Sequence, residues 1–227
     1  MTRERYLTVH QTRDFYDHVG KRQDWQRVYE GRAVGELLAQ GGFNQASSVF
    51  ELGCGTGALA SEMLGHYLPP QASYTGVDIS PVMVKLSRQR VAPFGERAHV
   101  LQTDGAFDFF RYASRCDRFV AAYVLDLLPP EAIRQVLTQA YALLPPQGKL
   151  CLVTLTEGST PLSRAIIGLC QGARRISPRL VGGCRPLRIA SYLSRERWRV
   201  EFDQTVRAAG VPSEVLVASK RLPNSHH

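Results

Sequence analysis

The stretch 48-SVFELGCGTGALA-60 decides how the rest of the chain is read. Residues Ser48 to Leu52 have strand character and run into Gly53, Gly55 and Gly57, after which a helical pattern begins. Glycines packed this densely leave the backbone bare, so that a ligand can approach it closely. Strand, glycine turn and helix is a common phosphate-binding layout, because the amides at a helix N-terminus point at an anion. A triphosphate is excluded, since GCGTGALAS lacks the Gly-Lys-Ser/Thr ending whose lysine reaches the phosphates. A dinucleotide is harder to exclude, because Gly53-Cys54-Gly55-Thr56-Gly57-Ala58 satisfies G-x-G-x-x-G/A.

Two carboxylates bear on that choice. Glu51 stands two positions before Gly53, where a negative charge repels a pyrophosphate and welcomes an ammonium group. Asp78 ends the second strand-like run, SYTGVD, where a carboxylate can accept both hydroxyls of a ribose. The competing reading of Asp78 is a helix cap, since DISP opens a helix. An acid near each end of the site fits a ligand with an amine at one end and a sugar at the other.

Outward from the turn, strand-like runs alternate with helical ones. The strands are SVFEL, SYTGVD, AHVLQT, DRFVAAYV and KLCLVTL. Helical candidates span Gly57 to Tyr67, Pro81 to Val91 and Pro130 to Leu144. Strands separated by helices imply crossovers and a parallel sheet covered on both faces. Upstream, the first forty residues read as helical and stop at Gly41-Gly42. Downstream, residues 160 to 173 have helical spacing. WRVEFDQTV and EVLVASK alternate about a Gly/Pro turn, as an antiparallel pair does. The expected organisation is a single domain: an N-terminal helical lid (1–45), a core (46–155), a basic substrate-side insertion (156–197) and a terminal strand pair (198–220).

The 227 residues suffice for a substantial core, and 44% hydrophobic with 21% charged content is ordinary for a globular chain. Five scattered cysteines, without a Cys-x-x-Cys pair or a histidine at ligand spacing, read as reduced thiols and argue against a disulfide scaffold or a metal site. His226 and His227 are set aside as a tag remnant. No membrane-length apolar run and no apolar leader occur, so a soluble, cytoplasmic protein is expected. The net charge of +8 lies in one segment: residues 160–200 hold nine arginines and one acid, and the remainder is neutral. Such a cluster is either a solvated surface or a wall facing an anion.

VFELGCGTGALA, YTGVDIS, LQTDGAFDF and FVAAYVLDLLPPE, in that order, resemble the motifs of class I S-adenosylmethionine-dependent methyltransferases, nearest the small-molecule branch of ubiquinone and menaquinone biosynthesis. The resemblance covers residues 48 to 155. It implies a Rossmann-like α/β fold: a seven-stranded, mostly parallel sheet with an antiparallel last strand and helices on both faces. S-adenosylmethionine is then the implied cofactor and S-adenosylhomocysteine the product. Gly53, Cys54, Gly55 and Gly57 would line its methionine portion and Glu51 would orient its amino group. Asp78 would take the ribose, and Ile79 and Met83 would cover the adenine. Asp104 would accept the adenine amine beside Gly105, and Ala122 and Tyr123 would border the methyl group. Met83 and Ile79 can equally be core residues, and Asp104 a turn residue.

Methyl transfer from a sulfonium needs an aligned nucleophile and the handling of one proton, so positioning carries much of the work. Asp126 is the candidate base, with a loop acid or helix cap as its alternative. Tyr16 and His18, in DFYDHVG, are candidates from the lid. Arg185, in VGGCRPL, is the candidate substrate anchor together with Tyr123, because a guanidinium pairs well with a carboxylate or phosphate. The expected partner is therefore a small anionic molecule. An RNA or phospholipid acceptor, or a nucleotide-binding protein without activity, are the alternatives. Nucleic acid is disfavoured because no RNA-binding module is appended and AAYVLD does not resemble the Asn-Pro-Pro-aromatic signature of base-amine methylation. Membrane-surface contact through residues 160 to 173 stays open.

Overall fold

The computed structural model describes residues 6–20, 27–113, 115–158, 163–164, 167–168, 171–172, 177 and 183–221. The chain opens with α1 (Val9–Val19) and α2 (Arg27–Gln40). Then follow β1 (Ser48–Leu52), α3 (Ala58–Glu62), β2 (Ser73–Asp78), α4 (Pro81–Val91), β3 (Ala98–Gln102), β4 (Arg118–Ala122), α5 (Pro130–Leu143), β5 (Lys149–Leu155), β6 (Trp198–Ala208) and β7 (Val211–Lys220). The seven strands form one sheet in the order β3-β2-β1-β4-β5-β7-β6. β1 to β5 pair in parallel; β7 runs antiparallel to both β5 and β6. The expected α/β class, the mostly parallel seven-stranded sheet and its antiparallel last strand are all present.

Side chains on a strand alternate between faces, so a strand covered on both sides must be apolar throughout. β5 and β7 illustrate this. Cys151, Val153, Val215 and Val217 join Leu37, Phe43, Met63 and Val84 on the face covered by α2, α3 and α4. Leu150, Leu152, Leu216 and Ala218 join Ile133, Leu137 and Leu143 of α5 on the other. Each such side chain contributes about 1.5–3 kcal/mol by leaving water.

The order of strands reverses between β1 and β4, and ligands of open α/β sheets bind in the crevice at the carboxyl ends of strands at such a point. Two expected elements end early. The run Asp117 to Val124 stops being strand at Ala122, because Tyr123 adopts a left-handed backbone, φ +55°, and turns the chain. The helix expected to Tyr67 is α-helical only to Glu62 and widens into a π-turn at Met63–Tyr67, closed by the Leu68 N–H on the Met63 carbonyl at 2.8 Å. Most of the helix expected at 160 to 173, and Arg174, Arg175, Arg179 and Gly182, lie outside the described residues.

Candidate active site

The glycine turn hangs from β2. The N–H groups of Gly53 and Cys54 both donate to the Val77 carbonyl, at 2.8 and 3.1 Å. Gly53, at φ +71°, has no room for a side chain, since a Cβ would stand 2.2 Å from Val124 Cγ2. Gly57 is needed for packing as well as conformation: a Cβ there would meet the backbone of Ser87 on α4 at 2.8 Å. Cys54 points into the core and is 5% exposed, leaving only its backbone to the turn.

Of the two flanking carboxylates, Asp78 is bonded to this turn and Glu51 to Tyr74. Asp78 accepts the Gly55 N–H at 3.0 Å on one oxygen and the Ser80 N–H at 2.9 Å on the other. The helix cap is Ser80, whose hydroxyl accepts the Met83 N–H at 3.1 Å, so Asp78 is released from that duty. Burial raises the Asp78 pKa to about 6 despite the amides that favour its charge. Glu51 is 2% exposed and accepts a 2.5 Å hydrogen bond from the Tyr74 hydroxyl. Burial raises it to about 7, with the Tyr74 bond pulling the other way. The cleft thus holds two acids whose charge is disfavoured, the condition in which a ligand bearing ammonium and hydroxyl donors is welcome.

The residues expected at the adenine end are placed less uniformly. Ile79 lines a groove with Val9, His10, Arg13, Gln102, Thr103 and Asp104. Gly105, at φ +88°, lies under α1, where a Cβ would meet Val9 at 2.8 Å. The exposed Asp104 carboxylate pairs with Arg111 at 3.1 Å, and the Ala106 N–H and this arginine lower its pKa. Met83 is 1% exposed, on the buried side of α4, and is not among the residues lining this groove.

At the other end, Asp126 is fully buried. Burial raises its pKa to about 7, partly offset by its own amide, by Arg185 and by Cys184. Neither of its oxygens has a hydrogen-bond partner of normal geometry among the described residues. Arg185 sits beside it: the Arg185 N–H donates to the Asp126 carbonyl at 3.2 Å. Its loop is stitched over the strand tips, with the Leu187 N–H on the Leu155 carbonyl at 2.8 Å and Glu214 of β7 accepting the Ile189 and Ala190 N–H groups. Among the described arginines of residues 160–200, Arg185 alone is buried; Arg164, Arg188, Arg195, Arg197 and Arg199 are exposed. Most of the described charge is therefore solvated surface, and one guanidinium is wall.

α1 supplies the roof. Tyr16 has its pKa raised by burial first, then by Cys184, Asp126 and Asp78, which puts its hydroxyl within electrostatic reach of both ends of the cleft. Asp17 accepts a 2.5 Å hydrogen bond from the Ser80 hydroxyl. His18 is not brought in: it is exposed, with Nδ1 2.8 Å from the Asp14 carbonyl of its own helix. Ala122 ends β4 at the cleft, and the strained Tyr123 directs its hydroxyl to Ser213 of β7 at 2.8 Å. Such strain gathers at functional sites. Tyr74, Asp17, Val124 and Cys184 were not anticipated. Only Tyr74 had a legible signal, as the residue sharing a strand face with Gly76, whose missing side chain leaves room for its hydroxyl.

Residues 49–148 match a family model described as a methyltransferase domain. A carboxy-S-adenosyl-L-methionine synthase of Chromohalobacter salexigens is 32% identical over 51% of this chain and 43% of that protein. A tRNA N(3)-methylcytidine methyltransferase of Drosophila melanogaster is 29% identical over 50% and 36%. A demethylmenaquinone methyltransferase of Symbiobacterium thermophilum is 27% identical over 72% and 61%. The chain spans less than two thirds of the length of each of these relatives. The solved N-methyltransferase NodS of Bradyrhizobium japonicum, in complex with S-adenosyl-L-homocysteine, superposes with a TM-score of 0.69 at 17% identity, over 93% of this chain and all of that one.

Proposed function

We propose that this chain, whose residues 49–148 belong to the class I S-adenosylmethionine-dependent methyltransferase family, moves a methyl group from S-adenosylmethionine to a small acceptor that reacts as an anion. The observation that carries the reading is the bond from the glycine turn to Asp78, with the buried Glu51 near enough to feel the Asp78 charge, beside the reversal of strand order. In it Glu51 holds the cofactor's amino group, Asp78 its ribose hydroxyls, Gly53, Gly55 and Gly57 its methionine portion, and Ile79 with the Asp104–Gly105 turn its base. The bound cofactor supplies an activated methyl group on a sulfonium.

The chain's own groups manage the acceptor. Asp126, raised towards neutrality by burial, takes its proton. Arg185 holds the resulting negative charge, and Tyr16 on α1 covers the site from water. The reading sets the reaction in the cytoplasm, in keeping with the buried free thiols of Cys54, Cys116 and Cys151. A second acceptor class, RNA, is favoured by the tRNA methyltransferase relative and by the exposed arginines.

The test has two parts. Calorimetry and thermal shift should register S-adenosylhomocysteine and not NAD; stabilisation by NAD alone sinks the reading. A methyl-labelled cofactor should then pass label to one of a panel of small acceptors. Label appearing in total RNA, with salt-sensitive RNA binding, moves the assignment to the second class.

A further inference from the structure

The region joining Asp126, Arg185 and the N-terminal segment contains buried polar atoms without a hydrogen-bond partner of normal geometry among the described residues. Both Asp126 oxygens and Arg185 Nε lack partners among the described residues, although the two residues are 0% and 8% exposed. Part of the guanidinium is committed. Its Nη2 donates to the Leu128 carbonyl at 3.0 Å, and one face lies against the Tyr6 ring, 5.5 Å from its centroid. What is left is the Nε–H, on a guanidinium near enough to the acceptor-only Asp126 carboxylate to favour its charge but not in ion-pair contact with it.

An unsatisfied buried polar atom costs about 1–3 kcal/mol, so this pair stands ready for a ligand that completes both halves. The completing ligand has a donor for Asp126 next to an acceptor for Arg185. Charge balance narrows it further. Arg185 carries +1 and ionised Asp126 −1, a sum of zero in a desolvated space. A carboxylate or phosphate entering there would leave a buried net negative charge facing Asp126, whereas a neutral ligand would not.

We propose, resting on the methyl-transfer reading above, that the acceptor is a neutral weak acid with its hydroxyl adjacent to a carbonyl oxygen, as in an enol or phenol beside a ketone. It becomes an anion only inside the site. The O–H proton passes to an Asp126 oxygen, the charge moves to the acceptor oxygen beside Arg185, and the sum stays zero. That oxygen then attacks the methyl carbon of S-adenosylmethionine, and the electron pair of the breaking C–S bond remains on sulfur. Asp126 returns its proton to solvent when product leaves. The other groups facing Asp126 are Cys184 on the Arg185 loop, Tyr16 of α1 and Tyr123 at the end of β4; burial raises both tyrosine pKa values, so both stay neutral near pH 7.

The inference is tested by binding alone, with the full chain saturated in S-adenosylhomocysteine at pH 7.5. The probes are maltol, a hydroxy-ketone largely uncharged at this pH, and benzoate and inorganic phosphate, which are anions without a suitable donor. The wild-type chain should bind maltol at least about tenfold more tightly than benzoate or phosphate. Asp126→Asn should reverse the order, strengthening benzoate and weakening maltol by about fivefold or more each, because the competing charge is gone and its proton acceptor with it. Arg185→Gln should weaken both, and melting curves verify that each variant is folded. A wild-type preference for benzoate or phosphate overturns the inference, as does an Asp126→Asn ratio that fails to reverse. Absence of saturable maltol binding, with S-adenosylhomocysteine still bound, overturns it too. Loss of S-adenosylhomocysteine binding by the wild-type chain instead breaks the methyl-transfer reading on which it stands.

Discussion

The two ends of the cleft are built in opposite ways. The end holding Glu51, Gly53, Gly55 and Asp78 comes from two neighbouring strand tips, and its groups are already joined: Asp78 to the Gly55 and Ser80 amides, Glu51 to Tyr74. The end holding Asp126, Arg185 and Tyr16 is drawn from three distant segments, and both Asp126 oxygens and Arg185 Nε lack partners among the described residues. The first end is a preorganised cradle of backbone and satisfied carboxylates. The second keeps buried polar atoms unpaired at a cost in stability, as expected where a reacting group must be recognised.

Each substitution below breaks one side of that contrast or sharpens it. The largest effect is expected from Gly53→Ala. Its Cβ collides with Val124 and its left-handed φ stays unfavourable, so loss of about 3 kcal/mol or more and of S-adenosylhomocysteine binding should appear in chemical denaturation and calorimetry. Adding Val124→Ala should recover part of the stability and not the strain. Asp78→Ala should lower affinity for S-adenosylhomocysteine about 100-fold with little change in acceptor-probe binding, since two amides lose their charged partner.

Asp126→Asn should do the reverse, leaving cofactor affinity intact while slowing methyl transfer about 100-fold or more. Its stability effect has a definite sign. A carboxyl raised from its ordinary value to about 7 binds its proton more tightly in the folded chain, so wild-type stability falls as pH rises towards about 7. The asparagine variant escapes that fall and should be more stable at pH 8 by about 2–4 kcal/mol, with little difference near pH 4. Equal melting points at pH 8 would show that Asp126 is not a strained acid. In the wild-type chain, turnover should climb through about pH 7 as Asp126 ionises.

Tyr74→Phe removes the hydrogen bond that favours ionised Glu51 and should weaken the cofactor about tenfold. His18→Ala should change binding and turnover less than twofold; a larger loss would mean that α1 rearranges to bring this exposed ring inward.

The contrast also explains what was legible. Glycine spacing, Glu51 and Asp78 are separated by short distances in sequence, and local rules place them: a strand tip, a turn that only glycine fits, a second strand tip. Alternation along WRVEFDQTV and EVLVASK announced the terminal hairpin of β6 and β7 for the same reason. Helical spacing names a face without saying what covers it, so the sequence left open that Met83 would be interior and that His18 would be exposed. Asp104 was expected on a base and is found on Arg111, seven residues along the same loop. Among the described arginines of the basic segment, only Arg185 is interior, and no count of charge could single it out.

The sequence by itself determined the class of fold, the glycine-rich strand-turn-helix, and the two acids near the strand tips beside it, since each follows from periodicity and from backbone sterics over a few residues. Only the tertiary structure decided that Asp126 and Arg185 lie buried near one another, with both carboxylate oxygens and Arg185 Nε unpartnered among the described residues. Burial and the lack of a partner belong to the whole assembled chain: they depend on which distant segments exclude water, and no local pattern records that.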